Sequence, residues 1–440
     1  WEGTGKTEDE LNFKGVTMDQ ADLEINPPTD KWKLVALIFL LHGIGSLMPW
    51  NMFITAKTYF TSYKMGGADS GYGSNFLSSL TLCAQVPNLL FNWLNVFLQV
   101  RGNLTARIVC GLLIQVVMFV LTVILAMADS TTWPGVFFWI TMVSVVVLNS
   151  GCGIYQNSVY GMAAKLPPKY TGMVILGSVG IINHFVLDIL VLLITPNPRT
   201  AAIYYFMTAL LVLLACFDTY FALPLNRFYR YHELVDQKEA NKKALDASAR
   251  GQSSRPPLWK IFKKCWTQCF NVFFVFFITL SVFPGIQSSI KASDPDFFLK
   301  SGNRYLNVMC FLTFNVTAMI GSSIAPIVQW PSKEHVFLPI LLRALYIPLF
   351  LMCNYLPEGH NRTMAVYIQN DYVYWLLGIS MGLSSGYFSS VAMMYCPRMV
   401  EPEHQSTAGM FGAAFLVTGI FMGVLFAVPM PWIVSSNFFF

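Results

Sequence analysis

Charge is what this chain has least of. Only 12% of its 440 residues are Asp, Glu, Lys or Arg, about half the usual share, while 55% are hydrophobic and the mean hydropathy is +0.53. Its 36 Phe, 19 Tyr, 11 Trp and 21 Met give more apolar surface than one compact core hides, which excludes an ordinary cytosolic enzyme. Paired cysteine motifs are also missing. Cys83, Cys110, Cys152, Cys216, Cys265, Cys269, Cys310, Cys353 and Cys396 lie mostly in or beside apolar runs without CxxC or Cys/His spacing, so they read as small core residues and no metal site is expected. There is no G-x-S-x-G, H-E-x-x-H, Walker A or dinucleotide fingerprint, so neither an enzyme, an ATP-driven pump nor a cofactor is indicated. The +5 net charge does not make a nucleic-acid face, because the basic residues fall between hydrophobic segments. The first apolar run begins at Leu34 and is too long for the h-region of a cleaved signal; it is expected to be the targeting signal itself.

What is present is a series of long apolar runs. Taking about 20 residues per crossing, the sequence predicts eleven transmembrane helices, at 34-56, 76-100, 108-127, 134-164, 172-195, 200-223, 266-287, 305-330, 336-356, 373-395 and 408-432. Breakers such as Gly66-Gly67, Pro167-Pro168 and Pro196-Asn197-Pro198 separate them. The chain thus divides into a tail (1-33), a six-helix bundle (34-223), a basic linker (224-265), a five-helix bundle (266-432) and a short C-terminus (433-440). With the N-terminus cytoplasmic and the C-terminus extracellular, 20 of the 28 Lys and Arg fall on the inside, which fixes that orientation. Asn361-Arg362-Thr363 then lies outside as a glycosylation sequon.

Polar residues at membrane depth are expensive and therefore informative. In the fourth helix Asn149, Cys152, Gln156 and Gly153 share one face, which either lines a polar cavity or serves as hydrogen-bonded glue between helices. The first helix carries Ser46, Pro49, Trp50 and Asn51, where proline bends the helix and Trp50 offers a stacking surface. Gln85 and Asn88 flank Pro87 in the second helix and are expected to face inward. His184 and Asp188 stand four apart in the fifth, a spacing that lets imidazole and carboxylate meet as a proton or cation site, or as a simple structural pair. His42 reads as a packing residue. Arg343 lies near the inner end of its span, where its stem can snorkel to the surface.

The stretch Gly45-Ser46-Leu47-Met48-Pro49-Trp50-Asn51-Met52-Phe53-Ile54-Thr55-Ala56 resembles the first-helix signature of the equilibrative nucleoside transporters. Further similarity runs through Leu148 to Gln156, Phe283-Pro284, Cys310 to Asn315, Arg343 to Pro348 and Thr407-Ala408-Gly409. The resemblance implies an all-α, eleven-helix membrane protein with a 6+5 two-bundle arrangement similar to the major facilitator type. It also implies a carrier that moves nucleosides or nucleobases down their gradients, expected to work by alternating access; a monomer in the plasma membrane is the accompanying expectation. Its substrate residues would be Trp50, Ile54, Gln85, Asn88, Gln156, Phe283, Phe311, Asn315 and, where the family has arginine, Ser322.

This chain departs from the family's eighth helix, usually Phe-Asn-x-x-Asp-x-x-Gly-Arg. Ala318 replaces the acid and Ser322 the arginine. Losing both together strands no buried charge, but it removes charge-assisted bonds to a sugar. Ser385 stands where the tenth helix usually has Asn, and Ser178 where the fifth often has Gln. Two alternatives follow: a carrier of another small organic solute such as an amine or cation, pH-dependent through His184 and Asp188, or a non-transporting receptor or scaffold that uses its basic linker.

Overall fold

A computed structural model describes residues 28–436 except 57–58, 65–71, 99–103, 131, 179–197, 237–256, 295–296, 299–304 and 358–360. Among the described residues no β-strand forms; the extended pairings are two isolated bridges, Ile290 with Tyr355 and Cys353 with Ile368. The helices that build the molecule are α1 Leu34–Thr55, α2 Tyr72–Leu98, α3 Leu104–Met127, α4 Pro134–Ala163, α5 Pro168–Ser178 and α6 Pro198–Ala222. They continue with α7 Leu258–Val282, α8 Leu306–Ile324, α9 Phe337–Leu351, α10 Asp371–Tyr395 and α11 Gln405–Ala427. Eight of these are long and apolar enough to cross a membrane. The other three are α2, which carries Gln85, Asn88, Asn92 and Asn95; α5, whose described part ends at Ser178; and α9, which is short.

Local chemistry sets the ends. The Asp30 carboxylate accepts hydrogen bonds from Val35 N and Ala36 N at 3.2 Å each, satisfying donors at the start of α1, and Tyr170 Oη donates to the same carboxylate at 3.1 Å. Asn370 caps α10 through Tyr372 N at 2.9 Å. Lys64 is buried and donates to the carbonyls of Leu125 and Ala128, closing the C-terminal end of α3.

The largest departure from the expected boundaries is α7, which starts at Leu258 instead of 266. Ile261, Cys265, Cys269 and Val272 make one buried stripe, and Lys260, Lys263 and Lys264 lie on the exposed side. A charge run that looks like linker is therefore the solvated face of a helix. Residues 227–236 of the same stretch are helical too. α8 begins with a π-wound segment, Leu306–Leu312, and ends before Pro326; α9 has a 3₁₀ turn, Arg343–Leu345, at its middle.

α1 packs on α5 and α6, α3 on α4 and α6, and α2 on α4; separately, α7 packs on α9, α10 and α11, and α8 on α10. Several crossings are backbone on backbone. A Cβ added to Gly177 would lie 2.1 Å from Leu40 O, and one added to Gly386 would lie 1.9 Å from Ala318 O, so only glycine permits α1–α5 and α8–α10 to approach this closely. The two groups meet through α4 and α2 against α11 and through α5 against α10 and α8. Outward faces are apolar, as Leu113, Val117, Val120 and Ile124 on α3 illustrate, which is the pattern lipid requires.

Candidate functional site

A cavity of about 290 Å³ lies between the two helix groups, near the lower end of the size range for small-molecule sites. One wall comes from α1, α2, α4 and α5, and the other from α7, α8, α10 and α11. Among the described residues no charged side chain lines it.

The first wall is built of amides and an indole. Trp50 and Asn51 follow Pro49 in α1, and Gln85 and Asn88 flank Pro87 in α2. α4 contributes Asn149, Cys152 and Gln156, one face of a helix with about 3.6 residues per turn. Asn149 Nδ2 turns back to Val145 O at 2.9 Å, and Cys152 Sγ donates to Ser46 O at 3.1 Å. Gln156 is different: it is buried, and its Oε1 has no hydrogen-bond partner. A buried acceptor without a partner costs about 1–3 kcal/mol, so a donor brought by a solute has a place to bind.

The other residues of the α4 face have a packing role. A Cβ on Gly153 would lie 2.7 Å from Asn88 O, so Gly153 marks contact with α2 and does not face the cavity. Asn157 and Ser158 hold α2: Asn95 Nδ2 donates to Asn157 Oδ1 at 2.9 Å and Ser158 Oγ at 3.1 Å. Asn157 Nδ2 donates to Asn92 Oδ1 at 3.0 Å and to Met410 O of α11 at 2.8 Å. The helix thus does both things its composition allowed, on adjacent faces.

The second wall is aromatic and hydroxylic. Phe283, at the end of α7, stacks on Phe314 with ring centroids 3.9 Å apart and meets Phe311 edge-on at 5.8 Å. Asn315 and Ala318 follow on α8. Thr279, Ser385 and Ser389 complete this side, with Thr279 Oγ1 and Ser385 Oγ 2.9 Å apart.

Trp50, Gln85, Asn88, Gln156, Phe283, Phe311 and Asn315 therefore share the cavity. Ser322 does not. It is fully buried, and its Oγ donates to Gly386 O at 3.1 Å across the close α8–α10 crossing. The Ile54 side chain, His184 and Asp188 lie outside the described residues. Asn361 is exposed on the loop before α10. His42 is buried, with Nδ1 2.7 Å from Tyr155 Oη.

Arg343 does not snorkel. It is 2% exposed, held inside by hydrogen bonds to α7 and α10. Thr279 escaped notice in the sequence, where one threonine in Phe273 to Val282 looks like an ordinary apolar-helix residue; only its place opposite Ser385 and Arg343 gives it weight. Away from the cavity, the sulfurs of Cys265, Cys269 and Cys396 lie within 4.8 Å of one another, with Cys269 to Cys396 at 3.6 Å. Sequence spacing hid this cluster because two helices far apart in the chain supply it; it sits in an apolar core with Met410 and Phe411.

A cavity with no charged side chain among its described lining residues, shared by two groups of membrane-type helices, has the form of a solute carrier's site. A family profile described as nucleoside transporter matches residues 142–431. The chain is 31% identical to equilibrative nucleoside transporter 1 of Homo sapiens, over 91% of this chain and 97% of the relative, and 31% identical to equilibrative nucleoside transporter 2 of Rattus norvegicus, over 90% and 97%. It is similar in fold to the E. coli fucose:proton symporter, with a TM-score of 0.51 at 13% identity, covering 91% of this chain and 90% of that one. The chain belongs to the equilibrative nucleoside transporter family.

Proposed function

We propose that this protein is a facilitative carrier of nucleosides and nucleobases, working by alternating access around the central cavity. The observation that carries the reading is the pairing of a cavity without a charged side chain among its described lining residues with the unpartnered, buried Oε1 of Gln156. A nucleobase brings an N–H donor for that oxygen and a planar face for Trp50 or the Phe283–Phe311–Phe314 cluster. A cationic amine finds no carboxylate among the described lining residues. Family membership supports the same class of substrate.

The two-group packing supports a six-plus-five rocking motion across eleven spans. Close contacts of α4 with α11, at Gly161 against Met410 and Gly409 against Tyr160, and of α5 with α10, at Gly172 against Met394, are the surfaces that part when the cavity reopens on that side. We read the N-terminus as cytoplasmic, the membrane as the plasma membrane, the carrier as monomeric and Asn361 as glycosylated; a mobility shift on glycosidase treatment that Asn361→Gln removes tests the last.

Saturable uptake of labelled uridine and adenosine into proteoliposomes tests the main reading. Flux for either one, strongly reduced in Gln156→Ala, supports it; absence of saturable flux for both refutes it.

A further inference from the structure

Arg343 is a cation placed deep in the fold with no acid beside it among the described residues. Its Nη1 donates to Met381 O at 3.3 Å and to Ser384 Oγ, its Nη2 donates to Thr279 Oγ1 at 2.8 Å, and Tyr346 lies 5.7 Å away as a ring contact. Every one of these partners is neutral, and Nε has none. A guanidinium at 2% exposure, with no counter-charge among the described residues, is costly at membrane depth, and that cost is what makes its surroundings informative.

The same contacts lead to the cavity. Thr279 and Ser385 are both cavity-lining, and 2% and 5% exposed. Thr279 Oγ1 uses one lone pair on the guanidinium and has a single proton, with Val275 O at 2.7 Å and Ser385 Oγ at 2.9 Å as alternative acceptors. When that proton points to Ser385, the Ser385 proton is released toward the cavity. The chain Arg343, Thr279, Ser385 is then a row of donors, each polarised by the one behind it and started by a full positive charge.

We propose that Arg343 is a specificity-determining positioning residue, which acts through Thr279 to make Ser385 a charge-assisted donor for one acceptor oxygen of a neutral substrate. This rests on the nucleoside reading above and deepens it: Gln156 receives a substrate donor on one wall, and Ser385 supplies a donor for a carbonyl or hydroxyl oxygen on the other. The positive potential behind that wall also disfavours ammonium-bearing solutes. No charged side chain is among the described lining residues; the charge stands one side chain back, behind Thr279, where it orients hydroxyls without offering an ion pair.

The test is zero-trans uptake in proteoliposomes of uridine and of uridine analogues that lack one base carbonyl or one ribose hydroxyl at a time. The wild type is compared with Thr279→Val, Ser385→Ala, Arg343→Met and Arg343→Lys. Thr279→Val keeps shape and removes the relay, so it answers even where Arg343→Met fails to fold, as judged by its size-exclusion profile. We expect Thr279→Val and Ser385→Ala each to raise KM for uridine about tenfold to a hundredfold, the range for a hydrogen bond assisted by charge. One analogue should lose affinity in the wild type but show no further loss in Ser385→Ala, which places its missing oxygen at Ser385. Where Arg343→Met folds, Arg343→Lys should recover part of its deficit. A merely structural role would lower the maximal rate for every analogue alike, and that outcome overturns the proposal. So does an unchanged KM in Thr279→Val and Ser385→Ala while the wild type transports uridine; a wild type that carries no nucleoside overturns the parent reading and this inference with it.

Discussion

The two walls of the cavity solve the same problem with different chemistry. The α1, α2 and α4 wall presents amides directly, with Gln85, Asn88 and Gln156 each reaching the cavity by its own side chain. The α7, α8 and α10 wall presents phenyl rings and hydroxyls, and a strong charge from α9, Arg343, stands out of sight behind its Thr279. An amide in an apolar helix is conspicuous and complete in itself. A hydroxyl has little force until something polarises it, so the second wall depends on how three helices meet.

Predictions that break or sharpen this contrast start with the helix crossing that builds the second wall. Gly386→Ala puts a methyl where only 1.9 Å is available to Ala318 O, and should lose about 3 kcal/mol or more, as overpacking of a tight contact does. A collapsed size-exclusion peak is the expected result, whereas Gly378→Ala, whose added Cβ meets Gln287 at an ordinary 3.5 Å, should fold. If both variants express equally, the crossing is not as close as described. Next, Gln156→Ala should lower kcat/KM for uridine about tenfold or more, since the first wall loses its unpartnered acceptor; initial-rate uptake measures it. Phe283→Ala removes one ring from a cluster of three and should raise KM about fivefold, in line with roughly 1 kcal/mol for an aromatic contact, with a larger effect on purine than pyrimidine nucleosides.

Two smaller effects mark the limits of the site. Asp30→Ala removes the cap of α1 and should lower thermal stability by about 1 kcal/mol while leaving KM untouched; a melting curve and an uptake isotherm on the same sample separate the two. Uridine uptake should change less than about twofold between about pH 5.5 and 7.5, because no carboxylate or imidazole is among the described lining residues. A steep slope that Asp188→Asn removes would transfer a proton-linked role to the fifth helix.

Much of the first wall is legible in the sequence itself. Trp50, Gln85, Asn88 and Gln156 stand out because a polar group in an apolar helix must have a reason, and helical spacing says which share a face. Even there Asn157 and Gly153, neighbours of Gln156, went to helix packing instead of the cavity, a choice made by where α2 and α11 lie. Ser322 was misplaced for the same reason: its residue type and helix position are compatible with a cavity, but its hydroxyl is spent on Gly386 O. The start of α7 was misread because lysines on an exposed helical face have the composition of a linker.

Composition and the period of the apolar residues by themselves determined that lipid is the solvent, that the chain is helical and that its few buried polar groups matter, because those are properties of individual segments in a low-dielectric medium. Family membership followed from the same string of residues. The tertiary structure alone decided which polar groups meet. Arg343 looked free to reach the surface, and it becomes a buried charge only because α7 and α10 close over it and offer Thr279 and Ser384 as partners. Three hydroxyl-bearing or charged residues from three helices form one chain of donors because the helices cross within hydrogen-bonding distance, and no spacing along the sequence encodes that distance.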